Sequence, residues 1–140
     1  MKPVQLTVFI IWGALCGSLF VYAAMLSSMT FAPTPKASTS LSGIIALAAG
    51  SAMALTFFLR KLLLGGFSNG TLSLDDAAQR GRFVAGHVVI FALSEGIGVL
   101  GFFNGILSNG RSEAWAPYLG LAFILMLAHI PLPSRFKAAA

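Results

Sequence analysis

The sequence predicts an all-α fold: a four-helix transmembrane bundle that forms a single integral membrane domain over residues 1–140, with both termini cytoplasmic. Three observations predict it. Four apolar runs alternate with polar connections rich in Gly, Pro and Asn, and each run is near the roughly 20 residues that cross a bilayer as a helix. Charged residues make up 9% of the chain, against about 25% in a soluble domain, and mean hydropathy is +0.88. Basic residues also divide unequally between alternate connections. Lys2, Arg60, Lys61, Arg80, Arg82, Arg135 and Lys137 fall on one side, with Lys36 and Arg111 on the other. The positive-inside rule then puts both termini and the long central loop in the cytoplasm.

The first helix is expected over about 4–26. A basic start before an apolar run also opens a secretory signal, but this run exceeds the roughly 7–15 residues of such a signal. Tyr22-Ala23-Ala24 is moreover a poor cleavage site, so an uncleaved anchor is expected. Gly13 and Gly17 form a Gly-x-x-x-Gly pair, which lets another helix approach closely. Pro33 and Pro35 break the chain into an extended link, since neither can continue a helix.

The second helix is expected over about 41–64. Gly43, Ala46, Gly50 and Ala54 recur at three and four residues and make a smooth packing stripe. Arg60 and Lys61 close its far end, where long side chains reach headgroups. A cytoplasmic loop over 65–82 follows. Within it Ser73, Asp75 and Asp76 read as the start of a short capped helix, with Ser73 as N-cap.

The third helix, about 83–107, carries the main functional signal, because Glu95 stands near its midpoint. An ionised acid at that depth costs about 2.5–3.5 kcal/mol on insertion scales. It must therefore be neutral, partnered or sheltered. At 100° per residue, Ser94, Gly98, Gly101, Gly105 and His87 fall in a band roughly 60–120° from Glu95. This is a face for tight helix contact, with Glu95 on its border and Ser94 beside it. Asn104 falls about 180° from Glu95, where its amide can bond to another helix. Asn109-Gly110 then makes a tight hairpin into the fourth helix, about 115–132, which Pro131 and Pro133 end. Trp115 and Tyr118 suit one headgroup belt.

Glu95, with Ser94, is thus a candidate site for a proton or a cation; the alternative is a structural acid that stays protonated and bonds a neighbouring helix. His87 and His129 come to similar depth if the last two helices form an antiparallel hairpin. They could then ligate a haem iron or another transition metal, or act as interfacial histidines bonding headgroups and carbonyls. Cys16 is the single cysteine and allows no disulfide framework. No nucleophile–base set, paired catalytic carboxylates or phosphate loop is present, so no enzyme is expected and no cofactor. The net charge of +5 lies beside apolar runs instead of forming a basic face, which points to anionic lipid and not to nucleic acid.

The stretch Phe91-Ala92-Leu93-Ser94-Glu95-Gly96-Ile97-Gly98-Val99-Leu100-Gly101 resembles the carboxylate-bearing helix of the proteolipid (c) subunit of rotary ATP synthases. In that family an Ala-Leu-x-Glu-small-x-small pattern carries the ion-binding acid at mid-membrane. The resemblance implies that role for Glu95 and a helix running outward from the cytoplasmic loop. It is confined to this one helix. The expectation is therefore a multi-pass protein of the cell (inner) membrane, a non-enzymatic subunit with an ion-binding glutamate. The alternatives are a structural or assembly subunit of a larger membrane complex and a His-ligated redox subunit. Small-residue faces on several helices point to partners in the bilayer, either further copies of the chain or other membrane subunits.

Overall fold

The computed structural model describes residues 3–31 and 39–132. Among them it is 84% helical with no strand. The four helices are α1 (Pro3–Ser28), α2 (Thr39–Ser68), α3 (Ala77–Leu107) and α4 (Ser112–Ala128). The first three are long and apolar enough to cross a membrane; α4 is shorter. Large apolar side chains face outward, among them Ile10, Phe20, Ile44, Phe58 and Ile124, and Leu47 is 73% exposed. That surface suits lipid, since a soluble monomer rarely exposes contiguous apolar patches of this extent. The expected link through Pro33 and Pro35 lies outside the described residues, as do Lys2, Pro133, Arg135 and Lys137.

Every expected helix is present, and most are longer than expected. The loop predicted over 65–82 shrinks to 69–76, because α2 continues to Ser68 and α3 begins at Ala77. The short helix expected behind Ser73 is the first turn of α3. Its N-cap is Asp76, whose carboxylate accepts from the Ala78 N–H at 3.0 Å. Ser73 instead closes a turn, accepting from the Asp75 N–H and donating to the Asp75 carboxylate. Hydropathy ends a segment where polar residues begin, whereas a helix runs on to its cap.

The turn from α3 to α4 is a Schellman motif. Gly110 N–H donates to Gly105 O at 2.8 Å and Asn109 N–H to Ile106 O at 3.2 Å. Asn109 and Gly110 both take positive φ, 58° and 72°, as the Asn-Gly pair predicts. The far end of α4 stops at Ala128, short of the expected 132, because Pro131 has no N–H to continue the ladder. The carbonyls left over are each met. His129 N–H bonds Leu125 O, Ile130 N–H bonds Leu127 O, Trp12 Nε1 donates to Met126 O at 2.8 Å, and Arg60 Nη1 donates to Ala128 O at 2.9 Å. Side chains from α1 and α2 thus complete the C-terminus of α4, and the Arg60 charge opposes its negative dipole end.

α3 is the centre of the bundle and packs on all three other helices. Its apolar window is 44% buried, against 17% for α1 and for α2. Glycines admit the neighbours. A Cβ at Gly86 would meet Leu63 and Leu64 of α2. One at Gly98 would meet Leu19 and Leu119, and one at Gly105 would meet Leu26 and Trp115. Leu19 and Leu26 are seven residues apart, as are Gly98 and Gly105, so α1 runs parallel to α3 with two leucines seated in two notches.

Gly101 is the tightest of these with respect to rigid neighbours, since an added Cβ would lie 2.5 Å from Tyr118 Cβ and 3.2 Å from the Trp115 carbonyl oxygen. Neither atom is the free end of a side chain. Gly101→Ala is expected to destabilise the protein by about 1–3 kcal/mol, as overpacking does. Gly50→Ala, where a Cβ meets nothing within 4 Å, is expected to stay within about 0.5 kcal/mol. Thermal or denaturant unfolding of the two variants in detergent checks the difference.

Candidate functional site

Glu95 is half-buried in the seam between α1 and α3. Its Oε1 accepts from the Tyr22 hydroxyl at 2.5 Å and lies 3.2 Å from Ser18 Oγ. Ser18 and Tyr22 are four residues apart, so one face of α1 presents both hydroxyls to the acid. The seating of Leu19 against Gly98 holds that face in register. Among the described residues the partners of the carboxyl are these two hydroxyls, not a Lys or Arg.

The hydrogens can be counted. Ser18 Oγ has one proton and two acceptors in reach, Leu15 O at 2.7 Å and Glu95 Oε1 at 3.2 Å. With the carboxyl protonated, every link has a donor: Tyr22 O–H to Oε1, Oε1–H to Ser18 Oγ, and Ser18 O–H to Leu15 O. With the carboxylate ionised, Ser18 must turn its only proton from the backbone to Glu95. Two hydrogen-bonded states therefore exist that differ by one proton and one hydroxyl rotation. The Ser18 hydroxyl can thus either donate to the carboxyl or accept from it.

Ser94 does not join this cluster. It is fully buried on another face of α3 and donates to Ile90 O at 2.9 Å, satisfying itself on its own helix. Adjacent residues on a helix diverge by about 100°, which is why proximity in sequence did not become proximity in space. The hydroxyls that do reach the acid, Ser18 and Tyr22, were missed. Their signal was an i, i+4 pair of polar groups inside an otherwise apolar helix.

The other expected residues divide into two groups. Gly98, Gly101 and Gly105 line the contacts of α3 with α1 and α4. Gly13, Gly17 and Gly50 have nothing within 4 Å of an added Cβ and open outward. Asn104 Nδ2 reaches across to α4 and donates to Ala114 O at 2.7 Å. His87 and His129 are both buried and line one cleft. His87 Nδ1 is 2.9 Å from Phe83 O, and His129 Nδ1 is 3.2 Å from Arg60 Nη1. Among the described residues no group of three or more His, Cys, Asp or Glu is placed to hold a metal ion.

Comparison of the chain with family models, with curated proteins and with solved structures finds no match.

The cluster makes a prediction that separates the real partners of Glu95 from the sequence neighbour. Tyr22→Phe is expected to destabilise the fold by about 1–2 kcal/mol, the range for losing a part-buried bond to a carboxyl. It should also change the rate at which a carbodiimide labels Glu95. Ser94→Ala should leave the labelling rate as in the parent. Mass spectrometry of the labelled protein, beside an unfolding titration, measures both.

Proposed function

We propose that this chain is a small multi-pass protein of the cell (inner) membrane, a non-enzymatic subunit in which Glu95 binds a proton. The observation that carries this reading is the Tyr22–Glu95–Ser18 cluster in the seam of α1 and α3. A proton fits it better than a metal cation. Hard cations such as calcium gather about 6–8 oxygen ligands, whereas Glu95 has one carboxyl oxygen engaged with two hydroxyls. Each of those hydroxyls carries a hydrogen as well as lone pairs, so the pair can exchange hydrogen bonds with the carboxyl in either protonation state.

The resemblance of the surrounding helix to the carboxylate helix of the proteolipid (c) subunit supports an ion-binding role for the same residue. The outward-facing Gly13, Gly17 and Gly50 support work alongside a second copy or another membrane subunit, because small residues let helices approach closely. A second reading, a structural or assembly subunit with Glu95 as a permanently protonated packing group, draws on the same closed hydrogen-bond chain. The two differ in whether the proton ever leaves.

Infrared difference spectra of the reconstituted protein between acid and alkaline pH decide this. A protonated-carboxyl band that disappears on alkalinisation, and is missing in Glu95→Gln, is the expected result. A Glu95 band that persists unchanged across the range gives the structural reading instead. Blue-native electrophoresis in mild detergent is expected to show a species larger than the monomer, and a monomer alone would remove the partner from the proposal.

A further inference from the structure

The connection between α2 and α3 carries an Asn-Gly pair, Asn69-Gly70, and the turn between α3 and α4 carries another, Asn109-Gly110. Asparagine before glycine is the pair most open to attack of the following backbone nitrogen on the side-chain amide, because glycine has no Cβ to obstruct ring closure. The fold treats the two pairs differently. At Asn109 the attacking nitrogen is occupied, since the Gly110 N–H donates to Gly105 O at 2.8 Å within the Schellman turn. The Phe31 ring also covers Gly110 so closely that a Cβ has no room there. At Asn69 the side chain is exposed, and among the described residues no backbone carbonyl accepts the Gly70 N–H. The amide oxygen of Asn69 is held instead. Its Oδ1 accepts from the Thr71 N–H at 3.1 Å, and the Thr71 hydroxyl lies 2.9 Å from Oδ1 and 3.1 Å from Gly66 O. A backbone N–H only donates, so the atom facing it is the amide oxygen, which leaves Nδ2 on the opposite branch as the leaving group.

We propose that Asn69 is a self-modification site: the Gly70 nitrogen closes on Asn69 Cγ, and water opens the resulting cyclic imide to an aspartyl or isoaspartyl residue. The steps balance. The Gly70 N–H gives up its proton, its nitrogen bonds to Cγ, and Nδ2 leaves with a proton as ammonia. Water then adds to one of the two imide carbonyls. Opening the bond from nitrogen to Cγ gives aspartate; opening the bond from nitrogen to the backbone carbonyl carbon gives isoaspartate, in which the chain runs through the side chain. Nothing is oxidised or reduced, and either product carries an added negative charge. As nitrogen adds to Cγ, negative charge gathers on Oδ1, where the Thr71 donors already sit. The isoaspartyl chain is longer by one carbon, and the loop beyond it is tied down. Leu72 N–H bonds Gly66 O at 2.9 Å and the Leu72 side chain lies on Gly66. That product therefore loosens the link between the two helices, whereas the aspartyl product keeps the turn with its carboxylate on the same two donors.

Peptide mapping by mass spectrometry of the full-length protein, held in detergent at neutral and mildly alkaline pH, tests this. The acid forms should accumulate at residue 69 about tenfold faster than at residue 109, the effect of the hydrogen bond that Gly110 must first break. The rate should rise with pH, because the Gly70 nitrogen attacks only once it is deprotonated. Thr71→Val should slow conversion at Asn69 about threefold, as expected for the loss of one shared donor, and leave residue 109 unchanged. Aspartyl and isoaspartyl forms should both elute, since the imide opens at either carbonyl. An aspartyl form alone reports direct hydrolysis and overturns the cyclic route. The assignment is also overturned by equal rates at the two sites, by an Asn69 that stays intact at alkaline pH, or by a Thr71→Val rate equal to or above that of the parent.

Discussion

How closely α1 and α4 can approach the backbone of α3 governs the rest of the structure. A helix ringed by three others must shed side chains on the faces where they meet, and α3 does so at Gly86, Gly98, Gly101 and Gly105. In lipid this matters more than in water, because packing and not water exclusion holds helices together. Seating Leu19 at Gly98 and Leu26 at Gly105 also fixes the axial register of α1 against α3. That register brings Ser18 and Tyr22 to the level of Glu95. The polar cluster is thus a consequence of apolar packing, not its cause.

A second constraint is that backbone groups in an apolar medium need partners. The end of α4 meets it with side chains from elsewhere in the fold. Trp12 from α1 and Arg60 from α2 take the Met126 and Ala128 carbonyls that no N–H of the same helix reaches. α4 is the shortest helix, and without these donors its last turn would expose bare carbonyls. Arg60 then has two roles at one position. It ties α2 to α4, and it sets a fixed positive charge in the wall of the cleft.

Much of this was legible in the sequence, and what was not has a physical cause. The four apolar runs gave the helices. The wheel around Glu95 correctly gathered Ser94, Gly98, Gly101, Gly105 and His87, all of which are buried. Asn104 was correctly assigned to an interhelical bond. The helix ends were less legible, since Asp76 caps α3 several residues before hydropathy rises. The partners of Glu95 were not legible, because periodicity ranks the faces of a helix without saying which other helix covers each one. The same limit hid Arg60, whose snorkelling to headgroups was the local reading and whose capping of α4 depends on a contact 68 residues away.

The two polar regions sit on α3 at different levels and have opposite chemistry. Glu95 is an acid facing hydroxyls; among the described residues the cleft beside His87 is lined by Arg60, Lys61 and two histidines, with no acid. His87 precedes Glu95 by eight residues, or about 12 Å along the helix. Each region therefore depends on a different neighbour of α3: the acid on the hydroxyls of α1, and the cleft on Arg60 of α2 and the end of α4.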